Sequence, residues 1–270
     1  MISYCKRVIY PHSSLFIALA TVFKIHIFSE VSNSGEMSYI ARLMKYANVK
    51  TLLIDFDSVV CEVESMDALF SEALANSPDD ERERILSAIK RITDLGMSGE
   101  IPFAESLSKR LALLPSRPAP LLRAIAKIKE RLSPSFLANL PYLLKHDCHI
   151  LSSGFRQLIE PALADTGFPV ENIHCNDIEL DASGVISGVD RRNPLAGNNG
   201  KPLLARTLGL EREIVMIGDG FTDYQVAEMS QADYFFGYAG VVRREKILAR
   251  ADEVVESFDD VVALLALKEN

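Results

Sequence analysis

The stretch LLIDFDSVV, residues 52–60, decides the fold. Three large aliphatics lead into two aspartates separated by one phenylalanine. The run sits within VKTLLIDF, whose unbroken apolar core is the pattern of a strand covered on both faces. Two acids at the end of a buried strand are costly unless something answers their charge. Side chains at i and i+2 of an extended chain point to the same side. Asp55 and Asp57 therefore leave the strand's carboxyl end facing one space.

Two other apolar runs end in the same telling way. HIL (149–151) runs into SSGF, and IVMI (214–217) runs into GDGFTD. Between and after them lie helical patterns: FRQLIEPALA, GKPLLARTLGL and TDYQVAEM. Strands alternating with helices imply an α/β fold with a doubly wound parallel sheet. Such sheets bind ligands beyond the carboxyl ends of their strands. Three strand ends thus offer two aspartates, then two serines and a glycine, then two more aspartates. Carboxylates with hydroxyls nearby suit a hard cation such as Mg2+, which prefers oxygen ligands and offsets their mutual repulsion.

The anion half of such a site is also legible. Ser152, Ser153 and Gly154 precede a helical pattern, and free N–H groups at a helix start bind anions. Lys201 follows the loop AGNNG and opens another helix, where it can meet a phosphate as a point charge. Each piece alone reads more simply as a cap, a turn or a solvated lysine. Their order at successive strand ends is what changes the reading.

Residues 65–132 differ from their surroundings. MDALFSEALA, DERERILSAIKRITDL, FAESLSKRLALL and PLLRAIAKIKERL follow one another with no strand-like run between them. This predicts a helical bundle inserted into an α/β core made of residues 37–64 and 133–270. On a helix from Phe103 an apolar stripe runs through Leu107, Leu111 and Leu114. Arg110 falls at the edge of that stripe, where a charge must snorkel or find a partner.

Composition sets the outer bounds. The chain has 270 residues, 48% hydrophobic and 24% charged, with a net charge of −8. A sizeable core is possible, and the negative balance with no basic stripe argues against a nucleic-acid partner. The four cysteines, Cys5, Cys61, Cys148 and Cys175, form no C-x-x-C pair, so reduced thiols in the cytoplasm are expected. Residues 1–36 stand apart. Lys6 and Arg7 precede SSLFIALATVF, as in a signal peptide, but the apolar run is too short to span a bilayer, so no membrane partner is expected. No small-x-small cleavage site follows. A dispensable extension with Met37 as the functional start is the preferred reading, and an exported form is the alternative.

DFDSVV, SSG, Lys201 and GDGFTD together resemble the four motifs of the haloacid dehalogenase-like superfamily, whose core is a Rossmann-like sheet with an inserted cap. DFDSVVCEVESMD is further similar to the first motif of its phosphoserine phosphatases, with Glu64, Met66 and Asp67 in matching places. MSGEIPFAESLSKRLALL is similar to their cap segment. The resemblance implies a Mg2+-dependent hydrolysis of a small phosphate ester, above all O-phosphoserine, through an aspartyl phosphate. Asp55 would be the nucleophile and Asp57 the acid–base. Ser152, Ser153, Lys201 and Thr222 would bind phosphate. Glu64, Met97, Phe103 and Arg110 would bind the amino-acid end. Asp55, Asp219, Asp223 and the Asp57 carbonyl would hold the metal. Val59, Ser153 and Thr222 depart from the subgroup's usual Thr, Gly and Asn, which leaves another phosphorylated metabolite open as substrate. A non-catalytic binding protein on this fold is the remote alternative.

Overall fold

The computed structural model describes residues 45–265. The extension of residues 1–36, with its signal-like run, the Met37 start and Cys5, lies outside the described residues. Strand β1 (Thr51–Ile54) is wholly buried, as its apolar run requires. Leu52 and Ile54 pack into one hydrophobic cluster and Leu53 into another, so layers cover both faces.

Around β1 lies a six-stranded sheet. Its other members are β2 (Asp147–Phe155), β3 (Ile173–Asn176), β6 (Ile214–Gly218), β7 (Tyr234–Tyr238) and β8 (Glu253–Val255). The order is β3-β2-β1-β6-β7-β8, and every pairing is parallel. The chain therefore moves outward in both directions from β1. The crevice this creates lies between the carboxyl ends of β1 and its neighbours, where Asp55, Ser152 and Asp219 emerge. A separate antiparallel hairpin, β4 (Ile178–Leu180) with β5 (Ile186–Val189), follows β3.

Four helices follow β1: α1 (Ser65–Ala73), α2 (Asp79–Met97), α3 (Phe103–Leu111) and α4 (Leu121–Lys129). The two linkers that carry them run side by side. Cys61 bridges Leu132, the Glu62 amide donates to the Arg131 carbonyl at 2.8 Å, and the Ser133 amide donates to the Val60 carbonyl at 2.9 Å. The far edge of the bundle touches the hairpin, where the Ala119 amide donates to the Gly184 carbonyl at 2.9 Å. The remaining helices flank the sheet: α5 (Pro134–Leu143), α6 (Arg156–Leu163), α7 (Gly200–Ala205), α8 (Phe221–Glu228), α9 (Glu245–Leu248) and α10 (Phe258–Leu265).

Cys61, Cys148 and Cys175 are buried and unpaired. Burial pushes their thiols up, those of Cys61 and Cys175 to about 12, so they are inert core side chains. No helix among the described residues is long and apolar enough to cross a membrane.

The outer edge of the sheet holds a histidine pair. His149 Nδ1 lies 3.1 Å from His174 Nε2, and His149 Nε2 lies 2.9 Å from Asp147 Oδ1. Burial, then the neighbouring His149 and Arg156, push His174 down to about 4. An unfolded histidine takes up its proton near pH 6.5, whereas the fold resists it until about pH 4. Its contribution is therefore complete above about pH 6.5 and is lost as the pH falls through about 4. His174→Gln is expected to show a shallower drop in melting temperature than the native chain over that window. Parallel melting curves would contradict this.

Candidate active site

Asp55 extends β1 by one residue, its amide donating to the Ile217 carbonyl on β6 at 2.9 Å. This fixes its side chain beside the end of β6, where Asp219 emerges. Asp223, in the first turn of α8, accepts from the Gly220 amide at 2.9 Å and so closes the turn between β6 and α8. Carboxylate oxygens of Asp55, Asp219 and Asp223 lie within 4.8 Å of one another, and all three residues are buried. Lys201 enters from the start of α7, behind the left-handed Asn199. Its Nζ lies 2.7 Å from Asp55 and 2.5 Å from Asp223.

The electrostatics follow from this crowding. Burial, then Asp223, push Asp55 well up, with Lys201 opposing. Burial works against the Lys201 charge, but Asp223 and Asp55 outweigh it and hold the ammonium above its ordinary value. Asp219 is paired with the guanidinium of Arg244 without hydrogen-bond geometry, and both Asp219 oxygens are buried with no hydrogen-bond donor. A buried carboxylate with no donor, beside two others, is the oxygen set that a hard divalent cation completes. The residues present therefore fit Mg2+.

Asp57 lies apart from these three. Its Oδ1 accepts from the Ser65 amide at 2.7 Å and its Oδ2 from the Ser65 hydroxyl at 3.0 Å, both at the start of α1. Burial, then Glu64, raise Asp57 to about 7, with the Ser65 bonds opposing. A carboxyl balanced there can both give and take a proton near neutrality.

The strand β2 runs further than the sequence suggests, through Ser152, Ser153 and Gly154 to Phe155, so these residues close the strand, and α6 begins only at Arg156. Ser152 Oγ accepts from the Gly154 amide at 3.0 Å, and the Ser153 carbonyl accepts from Asn176 Nδ2 at 2.8 Å. Ser152, Ser153, Gly154, Lys201 and Thr222 line one cavity with Asp55 and Asp57. Glu64, just before α1, and Met66, Met97, Phe103 and Arg110 of the inserted helices line the same cavity. Every candidate phosphate-binding and substrate-binding residue thus faces one space, while Asp219 and Asp223 stand behind it. The free volume is only about 30 Å³.

Two charges, Glu64 at the entry to the insert and Arg110 within it, face this cavity. Glu64 accepts from Ser58 Oγ at 2.9 Å, and Ser58 is held in the left-handed region at φ 59°. Arg110 does not snorkel: it is 6% exposed, with weak contacts to the Ser106 carbonyl at 3.4 Å and Thr93 Oγ1 at 3.5 Å. Among the described residues no ion pair satisfies it. Burial lowers its pKa, with Glu64 and Asp67 opposing. A buried guanidinium without a carboxylate partner is costly, and its fork can take a carboxylate bidentately.

Sequence reasoning missed Ser65 and Arg244. The sole signal for Arg244 is its place in GYAGVVRR, beyond the carboxyl end of β7, the strand next to β6.

The family model of the haloacid dehalogenase-like hydrolases matches residues 52–228. The chain is 29% identical over 257 residues to the chloroplastic phosphoserine phosphatase of Arabidopsis thaliana, covering 93% of this chain and 84% of that protein. It is 26% identical over 225 residues to the phosphoserine phosphatase of Mus musculus, covering 82% and 95%. Among solved structures, a phosphoserine phosphohydrolase-like protein from Francisella tularensis superposes with a TM-score of 0.70 at 27% identity, over 80% of this chain and 99% of that one.

Proposed function

From the premise that the chain belongs to the haloacid dehalogenase-like hydrolase family, we propose that it is a Mg2+-dependent phosphatase of small phosphate esters, with O-phosphoserine as its substrate. The observation that carries this reading is the shared cavity. A buried, unpaired guanidinium from the inserted helices and the Glu64 carboxylate just before them open onto the same space as Asp55 and Asp57. Phosphoserine presents a carboxylate, an ammonium and a phosphate, one for each part of that lining. Arg110 would take the carboxylate as a fork, and Glu64 would face the ammonium.

In this mechanism Asp55 attacks phosphorus in line and forms an aspartyl phosphate as the seryl oxygen leaves. Asp57 gives that oxygen its proton and later takes one from the water that cleaves the acyl phosphate. Lys201, the Ser152 hydroxyl, the Ser153 amide and Thr222 hold the phosphoryl oxygens. A divalent cation held by Asp55, Asp219, Asp223 and the Asp57 carbonyl would neutralise negative charge on the phosphoryl group. Residues 65–132 act as the cap that excludes water and reads the amino-acid end. Three buried free thiols fit a reducing compartment, and the cytoplasm is the proposed location.

A phosphate-release screen tests the assignment, with phosphoserine beside sugar phosphates, nucleotides and other small esters. Arg110→Ala is expected to lower kcat/KM for phosphoserine by about 10²-fold or more, the scale of a lost charged contact to a bound carboxylate. It should change turnover of esters without a carboxylate far less. Unchanged phosphoserine turnover would remove that substrate. Release from a different ester would reassign the substrate within the same chemistry, and release from none would favour a binding protein.

A further inference from the structure

Both oxygens of Asp57 are taken by one residue. The Ser65 amide reaches Oδ1 at 2.7 Å and the Ser65 hydroxyl reaches Oδ2 at 3.0 Å. Ser65 is the first residue of α1, so its N–H has no partner within the helix. Glu64, in the capping position, supplies no side-chain cap. Asp57 fills that role from eight residues upstream, and the helix start favours its negative charge. The pair packs closely against Gly154. Ser65 is fully buried. A Cβ on Gly154 would stand 2.9 Å from Ser65 Oγ and 3.2 Å from Asp57 Oδ2.

We propose that Ser65 is a positioning residue for the acid–base carboxylate, holding Asp57 on the cap side of the cavity and away from Lys201 and the other three acids. Without these two bonds, the Asp57 side chain is free to turn toward the buried ammonium of Lys201, where it would not reach the leaving oxygen. The amide is a fixed donor, so Oδ1 stays an acceptor and the exchangeable proton resides on Oδ2. A protonated Oδ2 keeps a lone pair for the Ser65 hydroxyl while its O–H points elsewhere. As Asp55 bonds to phosphorus and the ester O–P bond breaks, the leaving oxygen takes the proton from Oδ2. Ser65 keeps its own proton throughout.

This inference rests on the phosphatase reading, and the test separates the two. Serine release from phosphoserine and nitrophenol release from p-nitrophenyl phosphate are followed in single turnovers. The chains compared are native, Ser65→Ala, Ser65→Thr and Ser65→Val, each alone and combined with Asp57→Asn. Serine is a poor leaving group that needs a proton, and nitrophenol is not. Loss of the hydroxyl should slow serine release about tenfold, a part of the roughly 10²–10⁴-fold that a general acid contributes. Nitrophenol release should change less than about twofold, KM should hold, and the added loss in the Asp57→Asn chain should vanish. Thr and Val share a shape and differ in the hydroxyl, so Ser65→Thr should retain the rate that Ser65→Val loses, even if Ser65→Ala folds poorly. Equal losses for both esters, or the same loss with Asp57→Asn, would overturn the proposal and leave the phosphatase reading intact. A native chain that releases phosphate from no ester would overturn both.

Discussion

Asp55→Asn is expected to lower phosphate release by about 10⁴-fold or more, the scale of loss when a nucleophile is removed from an enzyme. The amide keeps the shape of the carboxylate and loses its negative charge, and with it most of its nucleophilicity. The effect on stability should run the other way. Burial and the nearby Asp223 push Asp55 up, so its charge is costly among these acids when no cation is bound. Lys201 keeps its contact with Asp223 at 2.5 Å when Asp55 is neutral. The variant should therefore melt no lower than the native chain. Loss of activity with an unchanged or higher melting temperature, measured on one preparation, separates a chemical role from a folding role. Undiminished release would end the assignment of Asp55.

The second large effect is loss of activity on chelation. Asp55, Asp219 and Asp223 face two buried or nearly buried cations, Lys201 and Arg244. Three carboxylates against two cations leave one negative charge unbalanced when all are ionised, and a divalent ion offsets it with charge left for a phosphate. Stripping divalent ions is expected to abolish phosphate release, and added Mg2+ to restore it. A readout independent of activity follows from mass action. At about a hundredfold excess over Kd, Mg2+ should stabilise the fold by about 2.7 kcal/mol and raise its melting temperature by roughly 5–10 °C. Asp219→Asn should remove most of that rise. Activity that persists after chelation, or a melting temperature that ignores Mg2+, would show that the acids serve another purpose.

What the sequence revealed, and what it hid, follows from where each residue sits relative to β1. The strands β1, β2 and β6 are legible because their apolar runs stop at polar motifs. These are the strands that border the crevice, so their ends carry its chemistry. β7 and β8 lie farther out and end in no such mark. The short β3, β4 and β5 carry too few apolar residues for a pattern, and α5 hides behind an interior Pro141. Asp55, Lys201, Asp219 and Asp223 were readable as a group because each occupies an element end. Arg110 was ambiguous, since a helical wheel places it at the margin of a stripe and cannot say that the neighbouring helix buries it. Ser65 and Arg244 were invisible for a related reason. Their partners, Asp57 and Asp219, are brought to them by the linkers and by the β7–α9 loop, and no local pattern encodes that meeting.

The cavity is walled on one side by the inserted helices and on the other by the strand ends, so under the proposed function each guest lies between the two. A phosphorylated residue within a polypeptide has chain leaving it in two directions, and that chain would have to pass between the insert and the core. The proposed activity is therefore one on free metabolites rather than on phosphorylated residues of other proteins.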